Sequence, residues 1–229
     1  MVKIPQEIEE IENQIEEALW SLEMHDEKEK ALEIYLEAES KLDDLALTIE
    51  KSAFYEQQRV LSYCLMRQGN LLRQMGKSEE ALAISEREIA AARGSENEIA
   101  LARSLMSNGT NYIVSGGVVK GNELLEKARL LFERGDSYDH QQGLGWYWIL
   151  QADLANAGII EKKPSEVIEV SDRAVKILKP IENWPGVARA YAARANAHEK
   201  IGNGEAAAED RQEQEYYESK VEAEEKDAG

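Results

Sequence analysis

The side chains able to do chemistry in this chain are numerous but scattered. The stretch that best combines acid, hydroxyl and imidazole is Asp136-Ser-Tyr-Asp-His140, whose residue types suit acid/base work or metal ligation. It follows Gly135 and precedes a helical segment, where Asp and Ser are favoured because their oxygens accept from free backbone N–H groups. Capping is therefore the preferred reading. His25, His140 and His198 lie far apart with no ligand spacing, so no metal site is predicted. Cys64, the single cysteine, falls among Leu61, Leu65 and Met66 and reads as a small buried hydrophobe rather than a reactive thiol. Gly116-Gly117-Val-Val-Lys-Gly121 lacks the spacing and the strand context of a phosphate loop. No acid, base and nucleophile assemble, so the chain is expected to be no enzyme and to need no cofactor.

Binding chemistry is better represented, and the elements that would position it follow from a repeat. Gly69, Gly109, Ala152 and Ala195 recur at intervals of 40, 43 and 43 residues. Each sits between a large residue four positions earlier (Leu65, Leu105, Trp148, Tyr191) and a third residue three positions later (Leu72, Tyr112, Ala155, His198). These three positions share one helix face. A glycine follows each piece, at Gly76, Gly116, Gly158 and Gly202, where left-handed dihedrals would close a helix. A second amphipathic segment comes next, marked by small residues seven apart: Ala31 and Ala38, Gly121 and Ala128, and more loosely Val167 and Ala174. A period in this range marks an array of stacked units.

These residues resemble the tetratricopeptide repeat (TPR) family, whose unit is a helix A, a tight turn and a helix B. The clearest copy is Leu65, Gly69, Leu72, Gly76 and Ala81; Gly109, Tyr112 and Ala128 match a third unit, and Ala195, Gly202 and Ala207 a fifth. Ala31, Tyr35 and Ala38 match only helix B of the first. The units are longer than the usual length of about 34 residues, a spacing that resembles kinesin light chain and several bacterial signalling regulators. The resemblance implies an all-α, right-handed α-solenoid of about five antiparallel helix pairs in one domain, with units at roughly 5–51, 53–94, 95–136, 137–180 and 183–226. Ser95-Glu-Asn-Glu98 has capping-box spacing and is expected to open the third pair.

In that family helices A line a concave groove, and the residue after the small position points into it. By resemblance these residues are Asn70, Thr110, Asp153 and Asn196; helical neighbours add Met66, Arg73, Met106, Ile149 and Asn156, and one turn further lie Arg103, Trp146 and Arg189. Asparagine amides can bond a peptide backbone, arginines can pair its carboxylates, and Trp146, Met66 and Met106 can anchor an apolar side chain. The alternative is that these residues serve contacts between repeats and local ion pairs. Met66 stands where the family's chaperone clamp needs a basic residue, which argues against a chaperone adaptor. The expected function is a protein-interaction scaffold that binds a peptide or protein segment in its groove. The alternative is a ligand-gated regulator whose superhelix changes shape about Gly116-Gly117.

Composition limits the partners. The chain carries 45 acidic and 27 basic residues, a net charge of −18, so nucleic acid would meet a repulsive field. No run approaches the ~18 apolar residues of a membrane span, and Met1–Glu10 turns acidic without the apolar core of a signal peptide. A cytoplasmic protein with a protein or peptide partner is predicted. Acidity concentrates toward both ends, as terminal repeats require for solubility, although their open faces leave self-association through end helices open.

Overall fold

The computed structural model describes the backbone over residues 5–228 and side chains over 5–51 and 53–223. Among these residues the regular structure is all helical. The helices follow one another as α1 (Gln6–Ser21), α2 (Lys28–Ala46), α3 (Lys51–Gln74), α4 (Ser78–Gly94), α5 (Glu98–Val114), α6 (Val118–Phe132), α7 (Tyr138–Asn156), α8 (Pro164–Leu178), α9 (Trp184–Lys200) and α10 (Gly204–Ala228), with a short 3-10 turn at Glu23–His25. Two compact units divide the chain, Met1–Ala128 and Arg129–Gly229. In the first, α1, α3 and α5 pack in succession while α2 packs against α1 and α3, and α4 against α3 and α5. In the second, α7 packs on α9, α8 on both, and α10 on α9. Each unit is thus a stack of helix pairs, the all-α repeat expected from the sequence.

The pairs are closed by one device used four times. Gly76, Gly116, Gly158 and Gly202 take φ values of 76°, 88°, 71° and 74°. The next residue's N–H reaches back to the helix: Lys77 to the Leu72 carbonyl at 2.8 Å, Gly117 to Tyr112 at 2.7 Å, Ile159 to Leu154 at 2.9 Å and Asn203 to His198 at 3.0 Å. This is the Schellman cap, in which a left-handed residue lets two late N–H groups satisfy carbonyls that the helix leaves open. Gly116-Gly117 makes the same cap as the other three turns. In the first pair Asp26 does the work of glycine, at φ 64°, with the Glu27 N–H on the Leu22 carbonyl at 2.9 Å.

Spacing explains which face each helix buries. Ile8, Ile11, Ile15 and Ala18 on α1, and Ala31, Tyr35, Ala38 and Leu42 on α2, form one stripe each and meet Val60, Leu61, Cys64 and Leu65 of α3. Cys64 is buried, and burial pushes its thiol up to about 12. Between α5 and α6 the small residues permit backbone contact. A Cβ on Gly121 would lie 2.6 Å from the Gly109 carbonyl oxygen, and one on Gly109 would lie 2.9 Å from that of Gly121. In the second unit Gly143 and Gly145 on α7 make room for Phe132 and Leu178, whose ring and side chain a Cβ would meet at 2.1 Å and 2.4 Å. Tyr217 of α10 is buried between Trp184 and Tyr191, with ring centroids at 5.5 Å and 5.8 Å, while Tyr216 is exposed.

Gly94 is the last residue of α4, where the second helix pair was expected to end, and its bare Cα lies against Gln58, whose Oε1 a Cβ would meet at 2.9 Å. One boundary expectation needs correction. Ser95 does not open a capping box, because Glu96 turns into the left-handed region at φ 53° and moves the helix start onward. The N-cap is Asn97, whose Oδ1 accepts from the Ala100 N–H at 3.0 Å, and Ser95 Oγ accepts instead from the Asn97 N–H at 3.1 Å. Ser137 caps α7 as the sequence suggested, accepting from the His140 N–H.

Candidate functional site

Within the first unit, α3 and α5 carry a polar seam that a purely structural interface would not need. Arg73 lies one turn beyond Asn70 on α3, so both side chains point the same way. Arg73 Nη1 donates to Asn70 Oδ1 at 3.1 Å and to Asn111 Oδ1 of α5 at 2.6 Å, and Ser107 Oγ donates to Asn70 Oδ1 at 3.4 Å. The acceptors are therefore consumed inside the cluster. The donors Arg73 Nε, Arg73 Nη2 and Asn70 Nδ2 make no hydrogen bond among the described residues, and both residues are half-buried. No described carboxylate lies within ion-pair distance of Arg73, and burial lowers the pKa of its guanidinium. Other arginines of this unit behave differently: Arg59 pairs with Glu12 and Glu56, Arg67 with Glu23, and Arg87 with Glu39.

Behind this cluster sits a buried carboxyl. Glu88 on α4 is 0% exposed; its Oε2 accepts from Asn108 Nδ2 at 3.0 Å and from Ser107 Oγ at 3.5 Å. Its Oε1, together with Asn108 Oδ1 and Asn111 Nδ2, is buried without a partner. Burial raises the Glu88 pKa well above the ordinary carboxylate value, against the opposing pull of Ser104, Asn108, Ser107 and the Arg73 charge. A second buried group holds the outer pair: Glu23 accepts from Tyr35 Oη at 2.9 Å and pairs with Arg67 at 2.5 Å.

The residues expected to line a groove divide by unit. In the first, Met66, Asn70 and Arg73 on α3 and Arg103 and Met106 on α5 are half-buried. Thr110 is 6% exposed and its hydroxyl donates to the Met106 carbonyl at 2.9 Å, so it is a core residue rather than a contact residue. In the second unit, Ile149 is 1% exposed and belongs to the core with Ala174, Leu178 and Val187. Trp146 and Trp148 are both half-buried against that core. Asp153 takes the Arg189 Nε at 3.0 Å; burial raises its pKa, opposed by that arginine. Asn156 donates to the Ala193 carbonyl at 2.9 Å, and Asn196 accepts from Arg211 at 2.5 Å. These polar groups tie α7 to α9 and α9 to α10, and Arg189, unlike Arg73, has a carboxylate partner.

Sequence reasoning passed over Asn111, Ser107, Asn108 and Glu88. A signal existed for the last: it stands seven residues after Ala81, where the pairs Ala31/Ala38 and Gly121/Ala128 keep a small residue. It also missed Asp210, 3% exposed, which Arg194 grips at 2.5 Å while pairing with Asp172.

No protein-family model matches the chain, and no curated protein matches it either. Solved structures do. TPR-like repeats assigned to a kinesin light chain of Podosopora anserina align with TM-score 0.54 at 16% identity, over 93% of this chain and 97% of that one. BtubC (BKLC) from P. vanneervenii aligns with TM-score 0.59 at 12% identity, over 95% and 91%. The apo form of RapI aligns with TM-score 0.53 at 13% identity, over 97% and 87%. The fold is the TPR-like helical repeat. At such identities the likeness speaks for the fold, and function must come from the side chains. In TPR-like terms α3 and α5 are consecutive first helices, so the donor cluster lies on the face that successive units share. Among the described residues no helix is long and apolar enough to cross a membrane, and no three His, Cys, Asp or Glu side chains converge as metal ligands would.

Proposed function

We propose that this protein is an interaction scaffold that binds an extended polypeptide segment along the face of α3 and α5. The observation that carries the reading is the asymmetry of the half-buried pair Asn70 and Arg73: the Asn70 and Asn111 oxygens are used internally, while Asn70 Nδ2 and the Arg73 Nε and Nη2 groups have no partner among the described residues. An extended segment presents backbone carbonyls as acceptors, and amide donors fixed in place lose little freedom on meeting them. Met66, one turn before Asn70, and Met106 on α5 supply adaptable apolar contacts beside the donors. Thr110 and Ile149, both core, have no part in this surface, and the proposal assigns no catalytic step to it. The second unit contributes stability through its internal pairs.

Pools of fluorescein-labelled, amidated heptapeptides test this by anisotropy against the full chain. Saturable binding is expected, weakened at least about tenfold by Met106→Glu, which places a charge beside the donors, and not by Glu86→Ala on the exposed side of α4. Equal binding by the intact chain and Met106→Glu, at equal helicity, would remove the site from α3 and α5.

A further inference from the structure

We infer that the Arg73 and Asn70 donors form a subsite for a single carboxylate, so that the bound segment carries an aspartate or glutamate side chain there. This rests on the peptide-binding reading and names its partner chemistry. Three features of the cluster select an anion. First, Arg73 spends only Nη1, on two amide oxygens, so the Nε and Nη2 edge keeps the parallel donor pair that matches a carboxylate's two oxygens. Second, Asn70 turns its oxygen inward to Arg73 and Ser107, which orients its Nδ2 donors outward on the same helix face. Third, the guanidinium is half-buried with no described carboxylate in contact, and burial of the nearby Glu88 disfavours the charged form of its carboxyl. A partly desolvated cation without a counter-charge is costly, and a ligand carboxylate supplies the missing partner.

The charge count selects the kind of anion. The open edge of Arg73 carries one positive charge in a chain whose net charge is −18, so a monoanion is matched there while a dianionic phosphate leaves an excess negative charge in a negative field. Asn111 never touches the ligand. Its Oδ1 fixes Arg73 at 2.6 Å, and its buried Nδ2 faces Gly69, where a Cβ would stand 3.5 Å away; Asn111 is a positioning residue.

The test uses the full chain and three amidated or free-ended heptapeptide pools with uncharged flanks: one centred on Glu and amidated, one centred on Gln and amidated, one centred on Gln with a free C-terminal carboxylate. The Glu pool is expected to bind about tenfold more tightly than the amidated Gln pool, the gap closing as salt is raised. Arg73→Gln should equalise the two, and Arg73→Lys should recover only part of the gap because it keeps charge but not the fork. Should Arg73→Gln fail to fold, Asn70→Asp offers a second route: it places a carboxylate beside the guanidinium within the same outline and should likewise abolish the Glu preference. Preference for the free-ended pool over the Glu pool would overturn the side-chain assignment in favour of a chain end. Equal binding of Glu and Gln pools by the intact chain would overturn the subsite while leaving peptide binding standing, and no binding by any pool would overturn both.

Discussion

Replacing Glu88 by glutamine should stabilise the first unit, and increasingly so as pH rises. Glu88 is fully buried, and its Oε1 and the Asn108 Oδ1 are both without a donor. A proton on Oε1 supplies the donor these oxygens lack, while Asn108 Nδ2 already donates to Oε2 at 3.0 Å. An acid and an amide can then bond reciprocally, and burial pushes the Glu88 pKa well above its ordinary value of 4.5. The folded state therefore holds a proton that the unfolded chain releases. Stability contributed by that proton is fully present below the unfolded value and is lost as pH rises toward the folded one, at about 1.4 kcal/mol per pH unit. Glutamine puts an amide N–H where the proton sits and does not titrate. The stability difference between Glu88→Gln and the parent should accordingly grow by up to about 1.4 kcal/mol for each pH unit above the unfolded value, for as long as the pH stays below the folded pKa. Hydrogen exchange of α4 and α5 amides reads this locally, and comparing the two proteins at each pH cancels intrinsic exchange: the protection gained by Glu88→Gln should rise with pH, by up to about tenfold per pH unit. A difference that is flat with pH would mean that Glu88 is ionised when folded. Its charge would then offset that of Arg73, and the argument for an unmatched guanidinium would fall with it.

Gly121→Ala should cost the first unit at least about 2 kcal/mol in chemical denaturation, because its Cβ would enter Ile113 and the Gly109 carbonyl at 2.4 Å and 2.6 Å; a loss under about 0.5 kcal/mol would mean that α5 and α6 can separate freely. Gly202→Ala meets no atom within 4 Å and should cost only about 1–2 kcal/mol, from its φ of 74° alone, with Gly202→Asn costing less. Tyr217→Ala removes the buried ring between Trp184 and Tyr191 and should cost the second unit about 3–5 kcal/mol, read as earlier exchange of α9 and α10 amides. Cys64, buried and shifted up to about 12, should stay unreactive to a thiol reagent at neutral pH until denaturant is added; reaction at the rate of a free thiol would refute its burial.

The fold was legible because its signals are backbone requirements. Four glycines needed left-handed dihedrals to end helices, and all four have them; small residues seven apart needed a close helix crossing, and Gly121 and Ala128 lie buried on one such face. Position alone set these, so spacing could find them. The site was less legible because it depends on which hydrogen bonds are spent. Arg73, Arg189 and Asn156 look alike as polar residues on first helices, yet Arg189 is paired with the Asp153 carboxylate and Asn156 is spent on a carbonyl, while Arg73 meets only amide oxygens. Register cost more: Thr110 and Ile149 occupy plausible outward positions in the sequence and turn out to be core, since one residue rotates a helical side chain by about 100°. What the sequence did hold, unread, is the break in its own pattern. A glutamate stands seven residues after Ala81, where other pairs keep a small residue, and three polar residues of α5, Ser104, Ser107 and Asn108, face it. Burying a carboxyl there is unfavourable for stability alone. The same cluster contains the arginine with an open edge, so the local cost falls where a binding surface needs fixed, unspent donors. Positions that violate their repeat's rule are thus the better guide to function here than positions that obey it.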